Sequence, residues 1–166
     1  MNTRRHTRNS GFTLVEILIV VVILGILSAI VIPQFTSASD MAKVSAMTTQ
    51  LQTIRSQLEL YRVQHNDTYP NLVTKGWDLL TKKTNADGST TGTPAFGPYL
   101  QKAPVNPLDN NKTIKALTVG ADPSTSATVG WAYDRTTGEI RAVVSVAQAT
   151  QFDLKEADGD IVIVTE

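Results

Sequence analysis

Cysteine is absent from this 166-residue chain, and with it go disulfides, thiolate metal sites and cysteine nucleophiles. Histidine is scarce. His6 lies in a basic opening segment and His65 near the end of a predicted helix, so neither a histidine pair for a metal nor a serine triad can be assembled. With no catalytic constellation in view, the chain is expected not to be an enzyme. An excess of one charge is missing too, since 15 Lys and Arg balance 15 Asp and Glu. Three of the basic side chains, Arg4, Arg5 and Arg8, fall in the first eleven residues, where there is no acid; the rest of the chain therefore holds 12 basic against 15 acidic groups. Phosphate binding needs a concentrated basic surface, so nucleic acid is not an expected partner.

What the chain does have is one long apolar run. From Ile17 to Leu27 there is no polar residue, and Ser28 alone interrupts the run before Pro33. A helix from Phe12 to Phe35 would rise about 36 Å, enough to cross a hydrocarbon core. The arginines ahead of it favour a cytoplasmic N-terminus. A cleaved secretory signal is one alternative, since Leu27-Ser28-Ala29 offers small residues for a cut, although an uncharged stretch continues beyond them. A plain single-pass anchor is another. It leaves unexplained Glu16, a carboxylate inside the apolar segment, where a charge costs on the order of a few kcal/mol.

Two readings of Glu16 stand side by side. Thr13 and Glu16 have the spacing of a capping box, in which each side chain satisfies a backbone N–H of the other at a helix start. Alternatively, a cut between Gly11 and Phe12 would create an α-amino group one turn from the carboxylate. Each charge is costly alone in a lipid-like medium, so the amine of one copy would be drawn to the glutamate of its neighbour.

Ser10-Gly11-Phe12-Thr13-Leu14-Val15-Glu16 followed by an apolar helix resembles the N-terminal motif of type IV prepilins and type II secretion pseudopilins. The resemblance implies that a membrane prepilin peptidase cuts after Gly11 and methylates Phe12, and that Glu16 aids polymerisation. The chain then divides into a cleaved leader (1–11), a transmembrane and polymerisation helix (12–35) and a periplasmic globular domain (36–166). Gly25 and Pro33 both weaken a helix interior, one by backbone entropy and the other by removing the hydrogen bond to the Ala29 carbonyl. A packing kink is the ordinary reading; by resemblance these positions bound a segment that extends when filaments assemble.

Beyond Pro33, Val44, Met47, Leu51, Ile54, Leu58 and Tyr61 recur in alternating steps of three and four, a single helical stripe. Asn66, Asp67 and Tyr69-Pro70 end that helix near His65, which reads as a surface residue. A short helix is expected around Trp77, Leu79 and Leu80, then a mobile loop from Asn85 to Pro94 with nothing to bury, and a proline-bearing segment from Phe96 to Pro107 that covers a core. The clearest later element is a hairpin, Val129 to Asp134 and Glu139 to Val144 about a turn at 135–138, with Trp131 and Tyr133 on one face. Ile161 to Val164 and an edge at Ile114 to Val119 complete an antiparallel sheet. The fold class is α+β: a long N-terminal helix, its first half transmembrane, packed on a small antiparallel sheet.

Tyr69-Pro70, Gly97-Pro98-Tyr99-Leu100, Pro104, Pro107 and the Gly130-Trp131 to Gly138-Glu139-Ile140 hairpin resemble the major pseudopilins of type II secretion. That resemblance implies a homopolymer in the periplasm, anchored in the inner membrane as a single-pass protein, with minor pseudopilins, an inner-membrane assembly platform and the prepilin peptidase as partners. A surface type IV pilin or competence-type filament subunit is the alternative. The resemblance also implies one calcium ion near the end of the domain, with oxygen ligands from Asp122 or from the group Asp153, Glu156, Asp158 and Asp160. Asp158-Gly159-Asp160 equally fits a solvated turn before the last strand.

Overall fold

The computed structural model describes residues 11–117, 129–155 and 159–164. Its contacts divide the chain into Met1–Ser39 and Asp40–Glu166. Helix α1 runs from Leu14 to Gln64. In Met1–Ser39, every side chain from Leu14 to Ile32 is exposed.

In Asp40–Glu166 the predicted stripe is the packing face of α1. Met47, Leu51, Ile54, Leu58 and Tyr61 are buried and Val44 is half-buried. His65 continues the same spacing, and here the sequence expectation fails: it is 3% exposed, not a surface residue. Its Nδ1 lies 2.8 Å from the Tyr61 carbonyl, which can only accept, and its Nε2 lies 2.8 Å from the hydroxyl of buried Thr84. With both ring nitrogens partnered and the ring stacked 3.6 Å from that of Tyr61, burial costs the imidazole little. The helix stops where Asn66 and Asp67 take left-handed conformations, and the Asp67 N–H closes back on the Arg62 carbonyl.

Two single-turn helices follow, α2 (Leu72–Lys75) and α3 (Asp78–Thr81), which bury Leu72, Leu79 and Leu80. The loop at 85–94 is less bare than its composition suggests: the Asn85 N–H meets the Ser89 carbonyl, and its side-chain amide donates to Ser89 and Thr91. The proline-bearing segment covers the core as expected. Tyr99 and Leu100 both donate to the Leu80 carbonyl, and buried Asn106 reaches the carbonyls of Gly130 and Val143. The Tyr99 hydroxyl donates to Gln64 and its ring packs on the core.

The sheet has four strands in sequence order, β1 (Ile114–Ala116), β2 (Trp131–Tyr133), β3 (Ile140–Ser145) and β4 (Ile161–Val164). The hairpin pairs antiparallel, Trp131 opposite Ala142 and Tyr133 opposite Ile140. The two outer pairings are parallel, so the sheet is mixed and not antiparallel as expected. The reason at the β3–β4 end is α4 (Val146–Gln151), a helix not foreseen, which turns the chain across so that β4 enters in the direction of β3. Trp131 and Tyr133 face α1 in one core; Ala132, Val143 and Val162 join Val129 in a smaller cluster on the opposite face. Trp77 meets Trp131 edge to face, with ring centres 6.3 Å apart.

Candidate functional site

The candidate site lies where α1 begins. Gly11, Phe12 and Thr13 precede the helix in an exposed, non-helical stretch, with Phe12 83% exposed. Thr13 starts the helix through the predicted capping box: its N–H and its hydroxyl both donate to Glu16 Oε2 at 2.8 Å, and the Glu16 N–H reaches Thr13 Oγ1 at 3.3 Å. Both of these bonds to the carboxylate use the same oxygen. Among the described residues Glu16 Oε1 has no hydrogen-bond partner, so the two readings of Glu16 are compatible: one oxygen caps the helix while the other can take a cation from outside.

A Cβ built on Gly11 or on Gly25 meets nothing within 4 Å. Packing among the described residues therefore requires glycine at neither position. Gly25 and Pro33 both lie inside the continuous helix α1. From Leu14 to Ile32, 19 residues form a helix long and apolar enough to span a membrane, with none of it buried. Such a surface needs lipid or other helices to cover it.

Of the acidic candidates near the other end of the chain, the structure describes Asp153 and Asp160. Asp122, Glu156 and Asp158 lie outside the described residues. Asp153 is exposed. Asp160 is bound by Arg55, whose Nη1 donates to Oδ1 at 2.7 Å. Among the described residues no three carboxylates or histidines gather as a metal cluster would. A guanidinium on Asp160 Oδ1 opposes a calcium ion at that oxygen. Arg55 itself escapes sequence reading, because its partner is 105 residues away.

The prokaryotic N-terminal methylation motif matches residues 6–32, and the model of type II secretion system protein G matches residues 34–124. The chain belongs to the type II secretion system protein G family. Among relatives in that family, the type II secretion system core protein G of Pseudomonas aeruginosa is 41% identical over 106 residues, 64% of this chain and 72% of the relative. That of Vibrio cholerae is 30% identical over 128 residues, 72% of this chain and 85% of the relative. A type IV major pilin of Myxococcus xanthus is 46% identical over 52 residues, but these make up only 31% of this chain and 24% of the pilin. No solved structure matches the chain significantly. The protein G family model begins one residue after Pro33 and covers the half of α1 that carries the buried stripe; the methylation motif covers the capping box and the exposed apolar turns.

Proposed function

We propose that the chain is a structural subunit of a type II secretion pseudopilus and has no enzymatic activity. It is cut by a prepilin peptidase between Gly11 and Phe12, is methylated on Phe12, and polymerises through α1. The observation that carries this reading is the conjunction, in one exposed stretch and among the described residues, of an unpacked Gly11–Phe12 junction, a Glu16 whose Oε1 has no hydrogen-bond partner and an apolar helix with no buried turn.

The chemistry follows from that arrangement. In the membrane the helix is covered by lipid and Glu16 is the costly group. After cleavage, the amine at Phe12 of one copy supplies the cation that Oε1 of a neighbour lacks, so burying the two charges together is cheaper than burying them apart. Assembly thus sets the stagger between subunits while apolar side chains replace lipid around each helix. Gly25, where a Cβ would meet nothing within 4 Å among the described residues, and Pro33 mark the turns that extend on polymerisation. The globular residues face the periplasm, the anchor lies in the inner membrane, and minor pseudopilins and an inner-membrane assembly platform are the partners during export.

The mature protein should have the mass of a chain beginning at Phe12 plus one methyl group. Glu16→Ala should leave that mass signature intact, apart from the substituted residue, yet abolish filaments seen by electron microscopy of overproducing cells. Filaments of normal length in this variant would refute the pairing. Type IV pilus function is favoured only by the shorter pilin similarity; deletion of the gene should stop protein export and leave surface fibres unaltered.

A further inference from the structure

A cleft of about 280 Å³ opens between the end of α1, helix α2 and the hairpin turn, with Tyr61, Tyr69, Lys75, Asp87, Gly88 and Arg135 among the residues that line it. Pockets for small ligands begin near about 300 Å³, so its size suits a compact group. Tyr61 singles it out. That side chain is 3% exposed, yet among the described residues its hydroxyl has no hydrogen-bond partner, whereas the hydroxyls of Tyr69, Tyr99 and Tyr133 each have one. No fully buried side-chain oxygen among those residues lacks a partner, so the Tyr61 hydroxyl borders open space, and the cleft is that space. Gly88 keeps it uncovered, because a Cβ there would lie 3.0 Å from the hydroxyl oxygen.

The charges around this hydroxyl are out of balance. Among the described residues, neither Lys75 nor Arg135 has an ion-pair or side-chain hydrogen-bond partner, while nearby Arg62 and Lys82 are paired with Asp67 and Asp78. The acid in the lining, Asp87, has Oδ1 occupied by the Ser89 N–H at 2.8 Å. Burial does most to push Tyr61 up to about 12; of the cleft's charges, Arg135 lowers it and Asp87 raises it, so both act at the hydroxyl. A phenolic donor and two unpaired cations suit an anion with two oxygens. We propose that the cleft binds a carboxylate, seated on the Tyr61 hydroxyl between Lys75 and Arg135. Asp87 restricts the ligand to a single negative charge, since a doubly charged phosphate would meet it in opposition. The same chemistry serves the carboxylate of a small molecule and that of an acidic side chain on another protein.

The test uses the full chain in micelles of an uncharged detergent, with backbone amide shifts followed by nuclear magnetic resonance during titration. Benzoate represents the small molecule and a capped tripeptide with a central glutamate the side chain; the tighter of the two identifies the source. Shifts should centre on Lys75, Gly88 and Arg135 and saturate. Benzamide and the matching glutamine peptide, which lack the charge, should move nothing. Lys75→Gln and Arg135→Gln, both at exposed positions, should each weaken binding about tenfold, and Tyr61→Phe, which keeps the packed ring, about threefold. Asp87→Asn should tighten it about threefold, because the opposing charge goes while an oxygen remains for the Ser89 N–H. Lys102→Gln, outside the cleft, should change nothing. The absence of saturable shifts with either carboxylate would overturn the proposal, and so would a loss at Lys102→Gln equal to that at Lys75→Gln, which would mark attraction to net charge alone.

Discussion

Gly138 closes the hairpin turn with φ +77°, in the left-handed region that disfavours side chains, and a Cβ there would lie 2.3 Å from two ring carbons of Tyr69. That ring cannot swing aside freely, because its hydroxyl is held between Glu59 and Arg62. Gly138→Ala should therefore cost roughly 2–3 kcal/mol, combining backbone strain with displacement of Tyr69. Urea unfolding should show it as a lower midpoint at unchanged slope; a midpoint equal to that of the native protein would mean that Tyr69 moves at no cost. Gly130 is constrained differently: a Cβ there would come within 2.2 Å of the Asn111 carbonyl oxygen, so the need for glycine comes from a neighbouring chain segment. At Gly11 and Gly25 a Cβ would meet nothing within 4 Å among the described residues, which directs attention to what lies outside the subunit.

At the scale of elements, α1 joins two differently patterned halves in one continuous helix. Beyond Ser39 its buried apolar side chains follow a single stripe, and truncation within it should be expensive. Leu51 is fully buried, so Leu51→Ala should lose about 2–5 kcal/mol of stability, whereas Val63→Ala, at 76% exposed, should stay within about 0.5 kcal/mol. Comparable losses for the two would show that the stripe is not the packing face. The stripe was legible from spacing alone, and extending it by one more step reaches His65. Residue type argued against burial there; what reversed it was a pair of hydrogen-bond partners, the Tyr61 carbonyl and the Thr84 hydroxyl, the latter supplied by a loop. Helix α4 also left a readable trace. Ser145 and Gln148 have capping-box spacing, and both reciprocal bonds form in the structure. Its apolar content is too slight for periodicity to reveal a helix, with Ala149 its buried residue.

For the folded globular part as a whole, the four tyrosines offer a common reporter. Burial pushes Tyr61 up from 10 to about 12 and raises Tyr133 and Tyr99 as well, while donation to Glu59 raises Tyr69. Each phenol is a weaker acid folded than unfolded, so the unfolded chain releases its protons first as the pH climbs. Stability on this account is complete below pH 10 and declines between 10 and about 12, the window set by Tyr61. Phenolate absorbance should lag behind that of free tyrosine and then rise together with loss of circular dichroism. Tyrosines that ionise normally at pH 10 in a chain that is still folded would contradict the burial described here.

The sequence by itself determined the features whose causes are local: the membrane-length apolar run, the capping box at Thr13 and Glu16, the stripe on α1, and the hairpin with Trp131 and Tyr133 on one face. Each depends on residues within a few positions of one another, so spacing suffices. Only the tertiary structure decided the parallel direction of β1 and β4, the burial of His65 and the engagement of Asp160 by Arg55. These depend on which distant acceptor meets which donor, and chain position carries no record of that until the core has closed around it.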